Sequence, residues 1–391
     1  MRSLCILFIG LMAIATEVSC ASQTSEKTSE KTIGVWIAAP RHTSLFDSYT
    51  QLKSGIETLS DRGINTLFLC AWADHKTAFE SEVLLSHSNY NHIKETSLFQ
   101  NTNYNGPSGD PVRDLIDLAH SKNMKVLFWF EYGFMARWGT EPTPENDPLL
   151  AKQQHWKGLG NDGLGTNYNG TDYYCNAYHP EVQQFILDLI DESITRYPDI
   201  DGIQGDDRLP ASPANSGYDA WTVSQYQASH EGENPPEDFR DKEWYAWRIN
   251  ILNNFANRMY QGIKAKGNYT VAFSPNIYPW AYDNLMQDWP SWLRQGNVEL
   301  LNVQCYRRTF KDYKIAVDEM LSYSDGLLDR SRLSPGIILG IASQKMANPE
   351  SLDSIISYNR KLGLGGQSYF YEKWLVADSS FTDIFEKHHY N

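Results

Sequence analysis

Residues 201–208 read Asp201-Gly202-Ile203-Gln204-Gly205-Asp206-Asp207-Arg208 and predict a short strand that runs out into two adjacent carboxylates. Side chains alternate along a strand, so Gln204 and Asp206 share one orientation while Asp207 points away unless the strand bends. If the strand belongs to a barrel, Asp206 is the first candidate to face its mouth. Asp207 is then expected to orient Asp206, to pair with Arg208 or Arg41, or to cap the loop. A pair of acids that only closes a strand or binds adventitious Ca²⁺ is the alternative.

Outward from this strand, short β-rich runs alternate with segments of helical period. The predicted strands are Ile33–Ala39, Ile64–Cys70, Met124–Phe130, Gly202–Gly205, Thr270–Ser274, Leu300–Gln304, Ile337–Ile341 and Gln367–Phe370. The predicted helices include Asp47–Arg62, with Asp47 as N-cap, and Pro111–Lys122, Pro180–Tyr197, Pro236–Lys266 and Pro349–Leu362. Most of the strands are apolar throughout, as strands covered on both faces must be. This rhythm predicts an α/β fold, a single (β/α)₈ TIM barrel.

The length of a connection depends on whether it leads from helix to strand or from strand to helix. Segments from helix to strand are short, whereas segments from strand to helix are long. The three longest, Ala71–Asp110, Glu131–His179 and Asp206–Pro235, follow the second, third and fourth strands. In a barrel all such loops gather at the carboxyl end of the strands, where barrel active sites lie. We therefore expect the functional site on that face.

Composition limits the classes of ligand. The formal net charge of the 391-residue chain is -14, and no basic stripe is present, which argues against nucleic acid or an anionic membrane surface as a partner. The chain has 12 Trp and 23 Tyr, many of them in polar, Gly-rich segments. Aromatic rings in such places suit the C–H faces of sugars, although most are expected to pack in the core or under loops. A carbohydrate is the ligand this composition favours.

The amino terminus has the layout of an export signal. Arg2 precedes an apolar stretch over residues 4–15, and small residues follow around Cys20, so residues 1–20 are predicted to be a leader too short to span a bilayer. Residues 21–32 read as a polar tether and residues 33–391 as the catalytic barrel. Cys20 also fits a bacterial lipoprotein acylation site, but Glu17 stands where such sites carry Leu, so lipidation and plain secretion are both left open. The expected location is secreted, periplasmic or at the cell surface, with membrane contact only through a lipid anchor at Cys20.

Three cysteines remain beyond the leader: Cys70, Cys175 and Cys305. An odd number implies no complete disulfide framework. Cys70 and Cys305 lie inside apolar, strand-like runs, so we expect them to be buried thiols.

Other strand tips carry further acids. Asp74 lies beyond the second strand, Glu131 follows the third and Glu372 follows the eighth. Cleavage of a glycosidic bond needs one carboxyl group to protonate the leaving oxygen and a second to act as nucleophile or to activate water. Glu131 and Glu372 both lie among aromatic residues, where desolvation raises the pKa of a carboxyl toward that of a general acid. For each of them a salt bridge at the top of the barrel is the alternative role.

Barrel geometry separates the two candidate partners of Asp206. Glu131 is on a neighbouring strand, about 4.8 Å away, which suits the roughly 5–5.5 Å carboxyl separation of a retaining pair. Glu372 is on the opposite side of a ring about 15 Å across, which suits a separation of roughly 7–9 Å and inversion. Glu372 is preferred because Tyr371 and Trp374 give it an aromatic setting.

Substrate-binding candidates are the polar and aromatic residues near these strand tips: Arg41, Trp72, Asp74, Trp138, Tyr173, Gln204, Trp221, Asn276, Trp280, Tyr306 and Trp374. Among them, Trp138, Tyr173, Trp221 and Trp280 are expected to include positions that stack on sugar rings.

Competing chemistries lack their sequence motifs. The ten His residues form neither an H-x-H nor an H-E-x-x-H spacing, so no metal site and no cofactor are predicted. There is no G-x-S-x-G elbow, and Gly363-Leu364-Gly365-Gly366 is not followed by the Lys-Ser/Thr of a phosphate loop.

Several short motifs together carry a family resemblance. They are Gly34-Val35-Trp36, the stretch 201–207, Ser274-Pro275, Asp288-Trp289-Pro290 before Trp292-Leu293, and Gln304-Cys305-Tyr306. On these the chain resembles the glycosyl-hydrolase-like family 10 proteins, TIM-barrel proteins common as bacterial secreted proteins or lipoproteins, over roughly residues 33–374. The D-G-x-x-x-D spacing is also similar to the fourth strand of α-amylase-type barrels, and that resemblance implies Asp206 as nucleophile. The fifth strand departs from that pattern, because it ends in Ser274-Pro275-Asn276 without the Glu that α-amylases use as acid.

Two functions follow as hypotheses. The first is a glycoside hydrolase acting on a polysaccharide or oligosaccharide, with Asp206 as nucleophile or base and Glu372 or Glu131 as acid. The second is a non-catalytic carbohydrate-binding surface protein on a barrel whose site has decayed, since a fold alone does not prove an activity.

Overall fold

The computed structural model describes residues 31–389, and eight parallel strands within them form a barrel. The barrel strands are β1 (Thr32–Ile37), β2 (Thr66–Cys70), β3 (Lys125–Trp129), β4 (Gly202–Gly205), β5 (Thr270–Phe273), β6 (Leu300–Leu301), β7 (Gly336–Ile338) and β8 (Gly366–Phe370). Ladder pairing runs β6-β5-β4-β3-β2-β1-β8-β7. A parallel bridge between Leu301 and Leu333, and a hydrogen bond of 2.8 Å from the Gly336 N–H to the Val303 carbonyl, join β6 to the β7 side. The predicted (β/α)₈ TIM barrel is confirmed.

Helices surround the sheet. They are α1 (Tyr49–Asp61), α2 (Glu82–His87), α3 (Pro111–Ser121), α4 (Pro180–Arg196), α5 (Ala220–Ser229), α6 (Lys242–Lys266), α7 (Trp280–Leu285), α8 (Trp289–Arg294), α9 (Phe310–Ser324), α10 (Pro349–Lys361), α11 (Lys373–Val376) and α12 (Thr382–His389). No helix in the part of the chain that the structure describes is both long enough and apolar enough to cross a bilayer.

Two predicted helix starts are wrong. The N-cap of α1 is Ser48, whose side chain accepts a hydrogen bond from the Gln51 N–H at 3.2 Å, rather than Asp47. Helix α6 begins at Lys242 rather than at Pro236, because Asp241 caps it by accepting from two main-chain N–H groups of the first turn. In both cases the residue that satisfies the free N–H groups sets the boundary.

A layer of hydrogen-bonded polar side chains crosses the barrel interior. The Trp36 indole N–H donates to Gln204 at 2.8 Å, and the Gln204 amide donates to Asn302 at 3.0 Å. Asn302 in turn donates to the Ser368 hydroxyl at 3.0 Å. These four side chains are buried, so each polar group needs a partner inside the protein. The layer ties β1, β4 and β8 to the segment after β6 beneath the mouth of the barrel.

The long strand-to-helix loops carry local structure of their own. Antiparallel strands Met135–Trp138, Asn167–Tyr168 and Asp172–Tyr174 form a small sheet in the loop after β3. The predicted export signal, the acylation site at Cys20 and nearly all of the tether lie outside the described residues. Cys70, Cys175 and Cys305 are buried free thiols, as expected for the first and last of them.

Candidate active site

Asp206 points into the barrel at the carboxyl end of β4. Its carboxylate accepts hydrogen bonds from the Trp129 indole N–H, from the Gln304 amide at 3.1 Å and from the Asp207 main-chain N–H. Trp129 ends β3 and Gln304 follows β6, so donors from different sides of the barrel meet at this carboxylate. The inward orientation agrees with the alternation of side chains along β4. Asp206 itself is buried.

Asp207 is the more accessible member of the pair, with 17% of its side chain exposed. Its carboxylate accepts from the Arg208 guanidinium at 3.1 Å and from the Asn276 side-chain amide at 3.1 Å. Arg208 also approaches Asp172 at 3.6 Å. Of the two arginine partners expected for Asp207, the structure thus provides Arg208.

The two neighbouring acids have opposite pKa shifts. Burial, followed by the negative charge of Asp207, raises the pKa of Asp206 well above its ordinary value. Burial also acts to raise the pKa of Asp207, but the Arg208 guanidinium and the hydrogen bonds that Asp207 accepts outweigh it and lower that pKa. Of the two, Asp206 is therefore the one that takes up a proton more readily, and Asp207 is the one that stays ionised more readily.

Glu131 is half-buried at the end of β3, on the strand next to β4. Its carboxylate accepts a hydrogen bond from the Cys70 thiol at 3.3 Å. Burial raises the pKa of Glu131, against the opposing effects of Arg208, the Cys70 hydrogen bond and Arg41. Burial thus favours the protonated form of Glu131. Glu131 is also close enough to Asp207 for the two charges to interact. Environments that push two carboxyl groups apart in pKa are typical of an acid and base pair.

Glu372, the sequence-based choice for the acid, is fully buried. Its carboxylate accepts from the Ala38 N–H at 3.1 Å, and its own N–H donates to the Trp36 carbonyl at 3.0 Å. Burial raises its pKa to about 7. These contacts hold Glu372 beneath the loop that follows β1, so a substrate would have to displace that loop to reach its carboxylate.

Four aromatic rings form a floor below the acids: Trp36, Trp129, Tyr306 and Phe370. Their ring centroids are 6.5 Å apart for Trp36 and Trp129, 6.4 Å for Trp36 and Tyr306, and 5.4 Å for Tyr306 and Phe370. Only Tyr306 was among the predicted substrate contacts. The other three rings lie at the ends of strands, and this position could have indicated that they face the barrel mouth. Alternation of side chains along a strand does not distinguish such residues from residues that pack in the core.

An open cleft of about 540 Å³ adjoins the acid pair. Asn276 and Gln304, which hold Asp207 and Asp206, belong to its wall, together with Trp280 and Arg307. Trp280 is 37% exposed, and its ring meets Tyr168 edge-on at 5.5 Å. The cleft therefore reaches the two amides that bind the carboxylates, with a partly exposed indole in its wall.

Arg41, Asp74 and Tyr132 join three loops at the rim. Arg41 forms an ion pair with Asp74, and the Tyr132 hydroxyl donates to the same carboxylate. Arg41 and Asp74 are each about two-fifths exposed, at 41% and 39%. They remain available to a ligand at the barrel mouth.

The remaining predicted substrate contacts differ in how exposed their side chains are. Trp138 is 65% exposed on the small sheet after β3, and Tyr173 on the same sheet is half-buried. Trp221 packs against His179 at 4.8 Å, and Trp374 is half-buried beside Gly340. Trp221 is in α5 and Trp374 is in α11, and none of the four is among the residues that line the cleft next to the acids.

Two predicted contacts are buried in this structure. Trp72 is fully buried, because its indole N–H donates to the Gly133 carbonyl at 3.0 Å and its ring packs on Phe185. Gln204 is also fully buried, because it belongs to the polar layer below the acids. Both residues therefore make their hydrogen bonds inside the protein.

One group of side chains has a composition that can bind a metal ion. Ligand atoms of His155, His179 and Glu181 lie within 4.8 Å of one another. They are already satisfied, however: His155 contacts the Glu181 carboxylate at 2.7 Å, and His179 Nδ1 accepts from the Glu181 N–H at 3.2 Å as the cap of α4. The Nδ1 lone pair used for capping is not free for a metal, which leaves His179 Nε2, while His155 and Glu181 bind each other.

Comparisons of sequence identify one family and distant relatives. The family model described as glycosyl hydrolase-like 10 matches residues 31–356. Glycosyl hydrolase DigH of Escherichia coli (strain K12) is 22% identical over 359 residues, covering 84% of this chain and 77% of DigH. Glycosyl hydrolase YngK of Bacillus subtilis (strain 168) is 23% identical over 317 residues, covering 72% of this chain and 58% of YngK. The family resemblance seen in the sequence is confirmed.

Solved structures with the same fold are glycosidases. The glycoside hydrolase domain of PgaB (BpsB) from Bordetella bronchiseptica superposes with a TM-score of 0.60 at 12% identity, over 91% of this chain and 98% of that one. The catalytic domain of β-amylase from Paenibacillus polymyxa gives 0.59 at 10% identity, over 92% and 97%. At such identities the likeness establishes the fold.

Proposed function

The chain belongs to the glycosyl hydrolase-like 10 family, and we propose that it is a glycoside hydrolase that cleaves O-glycosidic bonds of a polysaccharide or oligosaccharide. One observation carries the proposal: two partly exposed carboxyl groups at the barrel mouth, Asp207 and Glu131, have pKa values shifted in opposite directions, and Asn276, which binds Asp207, lines an open cleft. Its location would be outside the cytoplasm, in keeping with the leader-like residues 1–20.

The pKa directions suggest a role for each acid. Glu131, whose pKa is raised by burial, donates a proton to the leaving oxygen. Asp207, held ionised by Arg208, acts either as the nucleophile or as the base that activates water. Asp206 is buried, and its raised pKa makes it a poorer nucleophile than Asp207, so it positions Asp207 by accepting the Asp207 main-chain N–H rather than attacking the sugar itself. Both stereochemical outcomes remain compatible with these roles.

The cleft suggests how a sugar chain is held. Trp280 presents an indole face suited to the C–H patch of a sugar ring, while Asn276 and Gln304 present amides to hydroxyl groups. The Asn276 amide also binds Asp207, and the Gln304 amide binds Asp206. A sugar bound in the cleft would therefore lie close to Asp207, the proposed nucleophile or base.

Turnover of a polysaccharide panel tests the proposal, with new reducing ends as the readout. Asp207→Asn removes a charge at nearly constant shape and should lower kcat/KM by roughly a thousandfold or more. Glu131→Gln should cost a similar factor on natural glycosides but much less on aryl glycosides, whose leaving group needs no proton. Asp61→Asn, an exposed acid at the end of α1, is the matched control and should leave the rate unchanged.

Two results would count against these assignments. If the wild-type protein binds glycans but releases no reducing ends, the chain is a carbohydrate-binding protein on a decayed barrel. If Glu131→Gln keeps full activity on a natural glycoside while Glu372→Gln is inactive, the acid is Glu372 and the first loop must open during catalysis.

A further inference from the structure

A second cavity lies at the opposite end of the barrel from the acids. It has a volume of about 240 Å³ and opens where β1 and β8 begin. The ends of α1 and α10 and the helix α12 complete its wall. Nothing in the proposed reaction uses this end of the molecule.

The wall of this cavity is positively charged. Lys31, Arg62 and Arg360 line it, and no Asp or Glu is among the described residues that do so. The Arg62 guanidinium donates to the Asp378 carbonyl at 3.2 and 3.3 Å, and Arg360 donates to the His388 carbonyl. Neither arginine forms an ion pair with a carboxylate within residues 31–389. The Asp378 charge acts on Arg62 without direct contact between the two charged groups, so both guanidinium groups keep charge that an anion in the cavity would neutralise.

A buried nitrogen without a partner lies in the same wall. The side chain of His388 is 8% exposed, and its Nε2 contacts the Asp353 carboxylate at 2.7 Å. Its Nδ1 is buried and has no hydrogen-bond partner among the residues that the structure describes. Because the Asp353 carboxylate can only accept, Nε2 carries the proton and Nδ1 of the neutral ring is an acceptor. Buried polar atoms are normally satisfied, so Nδ1 suits a donor such as water or the hydroxyl of a singly protonated phosphate rather than a bare oxyanion oxygen.

Helix electrostatics explain part of this arrangement. Arg62 follows α1 directly and Arg360 lies in the last turn of α10, where cations interact favourably with the helix dipole. That effect does not explain why Lys31, from the start of the barrel, shares the same cavity without an acidic neighbour in its wall. It does not satisfy His388 Nδ1 either.

We propose that this cavity binds a tetrahedral oxyanion, either inorganic phosphate or the phosphate of a monoester. Guanidinium groups match phosphate oxygens in geometry and charge, and Lys31 adds a mobile ammonium. The volume exceeds that of a single phosphate, which leaves room for an ester group. The site is independent of the glycosidase proposal, because it lies at the other end of the strands.

Calorimetric titration of the full chain with inorganic phosphate, at constant ionic strength set by chloride, tests the site. Arg360→Gln should weaken phosphate binding by roughly tenfold or more, since it removes a charge-assisted contact. Lys361→Gln is the matched control: it is exposed on the same helix end and does not line the cavity, so affinity should change less than about twofold.

A second variant keeps the test decisive if Arg360→Gln unfolds. Lys31→Gln alters an exposed side chain and should also weaken binding several-fold. A parallel titration with glycerol phosphate distinguishes the source, because tighter binding of the ester assigns a phosphate monoester and equal binding assigns the free ion. The proposal is overturned if phosphate does not bind, or if Lys361→Gln weakens binding as much as Arg360→Gln does.

Discussion

The contact between Cys70 and Glu131 links a buried thiol to the proposed acid. The thiol donates to the carboxylate at 3.3 Å and thereby favours its ionised form. Replacing Cys70 by Ala should raise the pKa of Glu131 and move the alkaline limb of the pH–rate profile upward by roughly half a pH unit, since a thiol is a weak donor. Cys70→Ser retains a donor and should leave the limb near or below its wild-type position.

Cys305→Ala controls for the loss of a buried thiol as such. Cys305 is buried without a contact to Glu131, so its removal should lower stability without moving the pH profile. A profile that is the same in Cys70→Ala and wild type would show that Glu131 does not set the alkaline limb.

Glu372 predicts a pH dependence of stability rather than of chemistry. Its pKa of about 7 in the folded protein lies above the ordinary carboxyl value, because burial disfavours the charge. Because the pKa is higher in the folded protein than in the unfolded chain, protonated Glu372 contributes to the unfolding free energy. This contribution is complete at a pH below the unfolded-state pKa, and it is lost as the pH rises through about 7. Glu372→Gln removes the titration, so relative to wild type it should gain about 3 kcal/mol in unfolding free energy between about pH 4 and pH 8.

Chemical denaturation of both proteins across this range measures the effect. Parallel stability curves for wild type and Glu372→Gln would mean that Glu372 does not change its charge on unfolding in the expected range.

At the scale of elements, Trp280 after β5 and Trp72 after β2 are predicted to have different roles, the first in ligand binding and the second in packing. Trp280 borders α7 and is partly exposed in the cleft, so Trp280→Ala should weaken glycan binding by roughly fivefold with little change in Tm. Trp72, on the loop after β2, is fully buried, and Trp72→Ala should lower the unfolding free energy by roughly 3–5 kcal/mol. Thermal melts and binding titrations on both variants check this contrast. A large fall in Tm for Trp280→Ala would identify it as a packing residue.

The whole molecule carries a net charge of -14, which limits the polymers it can approach. A polyanionic glycan should be turned over faster as salt rises from about 20 mM to about 200 mM, because added salt screens the repulsion. A neutral glycan should show no such dependence. Initial rates on one neutral and one carboxylated polysaccharide at matched chain length measure this, and a rate on the anionic chain that falls with salt would indicate local attraction at the site.

The sequence by itself determined the barrel. Eight apolar runs of strand length, separated by helical segments, have few ways to bury both faces other than a ring of parallel strands covered by helices. It also located the acids, because the carboxyl ends of β3, β4 and β8 follow directly from the strand boundaries. The inward direction of Asp206 followed from the period of two along β4.

Only the tertiary structure decided which acids solvent can reach. Glu372 and Glu131 have similar sequence surroundings, yet the loop after β1 covers Glu372 through a contact with Ala38, 334 positions away in sequence. Trp72 and Trp280 differ in the same way, since both are tryptophans that follow a barrel strand and only Trp72 is buried. Burial at a barrel mouth depends on how loops from distant parts of the chain pack on one another. Local sequence patterns carry periodicity and capping but not these long-range contacts, so the reachable carboxylates could be read only from the folded chain.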